Sequence, residues 1–307
     1  MTPLSQTILE NYQIRKTQKQ KSAFIDLLKN HFPDITIQEG GFIKCRNLIM
    51  GDIEKANVIL TAHYDTCATL PIPNLVTPKN PLFTILYSLI FVGIFFFATL
   101  IINLISTNFI NDFQIQYLLS LAIWFALLLL ILIGPANKRN ANDNTSGVIA
   151  LCELMCILTD ETRANIAFVL FDHEETGLIG SSVFRSKYKK FIQEKLIINL
   201  DCVSDGDHIM ICATKLARNE YGIDLKNSFL PSESKSIVFT NAERTYYPSD
   251  QLGFKKSVAI AALKRKRFIG YYIDKIHTNK DTQFDKENIK LICESLRKFI
   301  QIINNKK

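Results

Sequence analysis

The sequence predicts an α/β fold in which helices cover both faces of a sheet, broken once by an apolar two-helix hairpin. Three observations carry this expectation. Ile166–Phe171 (IAFVLF) and Leu196–Leu200 (LIINL) are short, unbroken apolar runs, as expected of strands buried on both faces. Such runs alternate with segments of helical periodicity, the pattern of a sheet layered between helices. Between Lys79 and Lys138, Asp112 is the only charged residue.

The elements follow in order. Leu4–Phe32 reads as one helix, with Ile8, Leu9, Tyr12, Phe24, Leu27 and Leu28 as its apolar stripe and a basic stretch at Arg15–Lys21. Phe42–Met50 and Val58–Ala62 read as strands. Ser146–Leu158 reads as a helix opened by the polar Asn142-Asp143-Asn144-Thr145. Thr176–Tyr188 is a further helix. Later strands are expected at Ile209–Cys212, Ser236–Thr240, Ser257–Leu263 and Phe268–Tyr272. Asp285–Ile303 closes the chain as an amphipathic helix, with Ile289, Ile292, Leu296, Phe299 and Ile303 on one face. The basic run Lys264-Arg265-Lys266-Arg267 reads either as a turn between two strands or as a contact for anionic lipid heads, with the turn favoured.

Composition narrows the classes. The chain has 307 residues, enough for one large domain or two modest ones. Hydrophobic residues at 48% against 21% charged exclude wholesale disorder. Net charge is +7, and no aromatic-basic platform supports nucleic-acid binding. The seven cysteines are scattered without a Cys-x-x-Cys pair, which argues against a disulfide framework or a thiolate zinc site. Cys152 and Cys156, four apart on a helix, read as two buried small residues.

Asn80–Asn111 is 32 residues without Asp, Glu, Lys or Arg, and Phe113–Asn137 is 25 more. A membrane-spanning helix needs about 20 apolar residues. Leu82–Leu104 and Gln116–Ile133 are the expected spans, joined by the polar turn Ser106–Gln114. The domain division is then 1–81 and 135–307 as two parts of one domain, with the hairpin at 82–134. The polar N-terminus has no apolar signal core, so the first span acts as its own insertion signal. Lys79, Lys138 and Arg139 flank the hairpin and its turn has no Lys or Arg, which places the rest of the chain and both termini in the cytoplasm.

Five polar clusters stand out, most at the ends of expected strands: Thr61–Asp65, Asn142–Gly147, Asp172–Gly177, Asp201, and Ile276–Thr278. In an open α/β sheet, ligands bind at the carboxyl edge of the strands. A set of imidazoles and carboxylates converging there suits zinc without thiolates. Two metals can share a bridging carboxylate, while another carboxylate handles protons. Singly each residue is weak: Asp143 alone is a helix N-cap, and Glu174-Glu175 alone is a solvated turn.

The ordered set TAHYDT (61–66), NDNTSGV (142–148), FDHEETGLIGS (171–181), NLD (199–201), YPSDQLGF (247–254) and IHTNKDT (276–282) resembles the two-zinc exopeptidases of metallopeptidase family twenty-eight. That family includes zinc aminopeptidases, glutamate carboxypeptidases and glutaminyl cyclases. The resemblance spans roughly residues 40–65 and 135–300. It implies a three-layer α/β/α domain with a mixed sheet. It also implies that His63 and Asp201 bind one zinc, Glu175 and His277 the other, and that Asp143 bridges both. Glu174 would be the general base and acid, and Asp65 would orient His63 through its other ring nitrogen. Cobalt or manganese could replace zinc.

The chain departs from the family pattern in three places. His173 precedes the Glu pair and is not expected to be a ligand. Ile276 stands where many relatives carry Tyr, which leaves the oxyanion stabiliser open among Tyr246, Tyr247, Tyr271 and Tyr272. The hairpin replaces a short loop. Asn144-Thr145-Ser146 matches a glycosylation acceptor, discounted inside this motif.

The reading is an integral plasma-membrane aminopeptidase with a cytoplasmic catalytic domain. Its partners are a peptide substrate, membrane-derived or not, and the bilayer; nucleic acid is not among them, and oligomeric state is open. A carboxypeptidase or other amide hydrolase on the same site is the alternative, with a non-catalytic membrane receptor or scaffold beyond it. Two spans are too few for a transporter.

Overall fold

The structure is a computed structural model that describes residues 1–41, 43–70 and 72–306. Phe42, where the sequence starts its first expected strand, lies outside the described residues.

A mixed sheet organises the fold. Its strands are β1 (Thr36–Gly40), β2 (Cys45–Met50), β3 (Val58–His63), β4 (Ile166–Phe171), β5 (Leu196–Leu200), β6 (His208–Ala213), β7 (Ser236–Asn241), β8 (Ser257–Lys266) and β9 (Gly270–Tyr272). The order is β1-β2-β4-β3-β5-β8-β6-β7, with β9 paired to the end of β8. The strands β4, β3, β5 and β8 run parallel, and antiparallel β2 and β6 flank them. The carboxyl ends of β4, β3 and β5 therefore lie side by side on one edge.

Alternation along β3 and β8 sorts the core into two faces. Val58, Leu60 and Ala62, with Val258, Ile260 and Ala262, pack under α1 (Pro3–Asn11), α2 (Gln18–His31), α5 (Gly147–Ile157) and α9 (Lys286–Asn304). Ile59 faces the other way, towards Phe171 and Phe184 of α7 (Ile179–Lys187). Beyond it Ala259, Ala261 and Leu263 meet Val76, Tyr247, Ile273 and Ile276 beside the strand ends. This is the layered α/β fold that the sequence predicts, and the buried strands Ile166–Phe171 and Leu196–Leu200 fall where the apolar runs place them.

Several elements differ from the expectation. The N-terminal helix is two helices. Arg15 breaks it: its backbone N–H donates to Thr66 Oγ1 (3.0 Å), and its guanidinium donates to the Tyr64 carbonyl (2.5 Å) and Thr145 Oγ1 (3.1 Å). Thr17 then starts α2 with a reciprocal Thr17–Gln20 capping box. Both ends of the basic stretch, Arg15 and Lys21, are fully buried. The edge strand β1 has no apolar run to betray it. The one-turn helix α6 (Asp160–Arg163) is not among the expected elements, and α8 (Lys215–Ser228) buries only Ala217, Asp224, Leu225 and Ser228, too sparse a stripe to stand out. Cys152 is buried as expected, but Cys156 is exposed.

The apolar block forms α3 (Pro81–Ser106) and α4 (Phe113–Ile133), both long and apolar enough to cross a membrane. They pack on each other through Phe95 and Trp124, with ring centroids 5.4 Å apart, and Ser120 Oγ donates to Asn103 Oδ1 at 2.6 Å. Their other faces present Leu82, Leu86, Phe96, Phe97, Leu118 and Phe125 outward. A soluble core helix would bury these residues. The run Lys264–Arg267 lies in the β8–β9 hairpin, with Lys264 opposite Tyr272 and Lys266 opposite Gly270.

Candidate metal centre

The carboxyl edge of the sheet brings the polar clusters together. His63 is the last residue of β3, Asp172–Glu175 follow β4, and Asp201 follows β5. Asp143 comes from the irregular turn 141–146 ahead of α5, where the Asp143–Asn144 peptide bond is cis. His277 arrives from the segment between β9 and α9.

Asp143 lies between the two histidines. Its Oδ1 is 3.3 Å from His63 Nε2, and its Oδ2 is 3.1 Å from His277 Nε2. On the outer sides, Asp201 Oδ1 lies 3.6 Å from His63 Nε2, and Glu175 Oε2 lies 3.2 Å from His277 Nε2. Glu174 groups with His63 and Asp201 within 4.8 Å. All six residues line one cavity of about 100 Å³, closed further by Asn74, Val76, Tyr247 and Ile276.

Backbone hydrogen bonds fix the carriers. Asp65 accepts the N–H of Glu174 at Oδ1 (3.0 Å) and of Glu175 at Oδ2 (3.2 Å), and its Oδ1 is 3.6 Å from His63 Nδ1. Asp281 does the same for the Asp143 turn, accepting the N–H of Asn142 and of Asp143, each at 2.9 Å. The sequence contains Asp281 within IHTNKDT but assigns it no role; the only signal is an acid four residues beyond His277. Asn144 is fully buried, and its side-chain amide donates to the Leu200 carbonyl at 2.9 Å. Of the four tyrosines considered for the oxyanion, Tyr247 alone lines the cavity, and its hydroxyl donates to the Asp201 carbonyl at 3.0 Å. His173 is not part of the cluster; its Nδ1 lies 3.0 Å from Thr176 Oγ1.

Burial dominates the electrostatics of the site, with neighbouring carboxylates adding to it. Burial pushes the Glu175 carboxyl up to about 8 and Glu174 well above the usual carboxylate range. Burial also pushes Asp250 and Asp281 up to about 7. Burial disfavours charge on His277, but the carboxylates of Glu175 and Asp143 outweigh it and raise that imidazole to about 9. Burial likewise opposes charge on Asp143, yet hydrogen bonds from His277 and His63 hold its carboxyl well below the usual range. Cys67 lies near Glu175 and His277, but burial and the Glu175 charge push its thiol up, away from the thiolate a metal would need.

The donor set fits a divalent cation. Glu175 Oε1 and Asp201 Oδ1 are buried without a hydrogen-bond partner, which is costly unless something positive is bound there. Imidazole nitrogen and carboxylate oxygen are zinc's ordinary donors.

Comparison with known proteins agrees. The fold is similar to that of Porphyromonas gingivalis glutaminyl cyclase, with a TM-score of 0.61 at 16% identity over 98% of this chain and 96% of that one. It is similar to a Zn-dependent exopeptidase from Parabacteroides distasonis, with a TM-score of 0.58 at 14% identity over 97% and 94%. Legionella pneumophila LapA aminopeptidase gives 0.57 at 12% identity over 97% and 67%. At these identities the likeness is one of fold. No curated protein matches the chain in sequence. The family model for peptidase family M28 matches residues 130–300, more than half of the chain. On that match the chain belongs to peptidase family M28 and is a zinc metallopeptidase.

Proposed function

We propose that the chain is a membrane-anchored two-zinc aminopeptidase that removes N-terminal residues from peptides at the membrane surface. The observation that carries this reading is the division of Asp143, one carboxylate oxygen towards each histidine. Such a residue suits a bridge, with His63 and Asp201 holding one zinc and Glu175 and His277 the other. Bound zinc would polarise the scissile carbonyl and make water acidic enough to lose a proton near neutral pH. Glu174 would take that proton and deliver it to the leaving amine, and its burial, which raises its proton affinity, supports that role. Asp65 holds the backbone of Glu174 and Glu175 and faces the far nitrogen of His63, so it orients three members of the site.

The approach to the first span supports the membrane part of the reading. Leu70 N–H donates to the His277 carbonyl (2.8 Å), Asn74 N–H to the Ile276 carbonyl (3.4 Å), and Val76 exchanges two backbone hydrogen bonds with Ile273. Asn74 and Val76 line the cavity, and α3 begins at Pro81. The same short strap thus walls the site and leads into the hairpin. On the exit side, the nine residues from Gly134 to Asn142 reach at most about 30 Å, which tethers Asp143 to the end of α4. Peptides emerging from the bilayer would meet the site at raised local concentration. The positive flanks Lys79, Lys138 and Arg139 support a cytoplasmic domain.

The test is metal content and turnover of detergent-purified protein, wild type beside Glu174→Gln, on peptides with free and blocked N-termini. Two zinc per chain, cleavage only of free N-termini, and a mutant that keeps metal but loses turnover are expected. Cleavage of blocked peptides from the carboxyl end would replace this reading with a carboxypeptidase. Metal without turnover of any peptide would redirect it to another amide substrate.

A further inference from the structure

The basic run of the β8–β9 hairpin divides in the structure. Lys264 turns inward and is held by Asp205 (2.6 Å) and Asp274 (2.7 Å). Arg265, Lys266 and Arg267 are exposed, and among the described residues no carboxylate lies within ion-pair distance of them. At the tip Phe268 is 89% exposed, the most exposed large apolar side chain among the described residues.

Position gives this tip its meaning. The Arg265 guanidinium lies 5.4 Å from the centroid of the Tyr271 ring and the Lys79 ammonium 5.7 Å from it. Lys79 stands two residues before Pro81, where α3 begins. The base of the basic hairpin is therefore pinned beside the point at which the chain enters its first apolar helix. From Tyr271 to Phe268 is three residues, about 10 Å at full extension, so the tip stays near that point. Exposed cations beside an exposed aromatic, next to the end of a spanning helix, match the chemistry of an anionic headgroup layer.

We propose that Arg265, Lys266, Arg267 and Phe268 form a second membrane contact that binds the surface of an anionic bilayer. The cations meet lipid phosphates while Phe268 enters the interface. The occupant is the bilayer into which α3 and α4 insert, because the tip is continuous with the hairpin's entry through Tyr271 and Lys79. β9 runs on from this tip into Ile273 and Ile276, which line the cavity. The contact thus sets the tilt of the domain and keeps the cavity mouth against the membrane surface. The inference rests on the reading of α3 and α4 as spans.

The test exploits the single tryptophan, Trp124, in α4. The Trp124→Phe/Phe268→Trp double variant carries its only indole at the tip. The full chain is reconstituted into vesicles of phosphatidylcholine alone or with about 30% phosphatidylglycerol. Spin-labelled lipid is the quencher, and an alkaline carbonate wash follows on the same sample. The expected result is a blue-shifted emission quenched by the labelled lipid in the anionic vesicles. Adding Arg265→Gln, Lys266→Gln and Arg267→Gln should remove both signals while zinc content stays unchanged. An unshifted, unquenched emission in anionic vesicles overturns the proposal. If the chain resists the wash but the tip stays unquenched, the spans stand and the second contact falls. If the wash releases the chain although the tip was quenched, the contact stands and the spans fall.

Discussion

The carboxylate of Asp65 accepts a hydrogen bond from the backbone N–H of Glu174 at 3.0 Å, across 109 residues of sequence. It ties the loop after β3 to the loop after β4 and sets where both glutamates begin. Replacing Asp65 by Ala removes this tie, the matching one to Glu175, and the partner of His63 Nδ1. Zinc affinity is expected to fall by about 10–100-fold, as for other groups that orient metal ligands. Competition with a chromogenic chelator measures it.

Asp143 and Asp281 should separate cleanly. Asp143→Ala removes the carboxylate that sends one oxygen towards each histidine, and bound zinc and turnover should both be lost. Asp281→Asn keeps the shape but turns one of the two acceptors at Asn142 and Asp143 into a donor. Zinc should then bind about 10–100-fold more weakly yet still bind to saturation. Equal effects from the two variants would contradict the division of roles.

The metal-free protein should lose stability as pH rises from about 5 to 9. Glu175 has a folded pKa of about 8 against an ordinary 4.5, and His277 about 9 against 6.5. Both groups bind more protons folded than unfolded within this window. The stability that these bound protons add is therefore lost as pH rises through the folded values. Asp143 and Asp65 shift the other way, but their effect falls below the ordinary carboxylate value of 3.8, outside the window. Zinc takes the place of the protons, so the stabilisation that it adds should grow over the same range. Thermal melts with and without zinc at pH 5, 7 and 9 read both slopes.

Lys21 and Asp172 form a buried ion pair at 2.5 Å, and Asp172 also accepts the N–H of Arg46 (3.0 Å) and of His173 (2.9 Å). Lys21→Met leaves that buried carboxylate without its cation. The expected cost is about 3–5 kcal/mol, seen as a lower melting temperature. Lys21→Met/Asp172→Asn should be less destabilised than the single variant. A smaller cost for the single change would mean that the two backbone donors alone satisfy Asp172.

Residues with a local signature were legible. Unbroken apolar runs identify β4 and β5 because burial on both faces leaves no polar position in a strand. Charge-free runs identify α3 and α4 as helices long and apolar enough to cross a membrane, because such a helix tolerates few charges. The order of His63, Asp143, Glu174, Glu175, Asp201 and His277 was readable as a family pattern, and the structure gathers the six around one cavity. The break at Arg15 was not, for periodicity follows the apolar stripe and is blind to a cation that turns inward to meet Tyr64 and Thr145. The capping box between Thr17 and Gln20, which starts α2, is likewise invisible to the stripe.

The sequence by itself determined which chemistry-bearing residues this protein has and which segments are apolar enough to be strands or spans, because composition and spacing encode local burial. Only the tertiary structure decided that Asp143 divides its oxygens between two histidines, that Asp65 and Asp281 hold the Glu174–Glu175 and Asn142–Asp143 turns by their backbones, and that the strap into α3 also walls the cavity. Those are contacts between segments far apart in the chain. Their geometry follows from parallel strands ending on one edge, a property of the assembled sheet that no single segment carries.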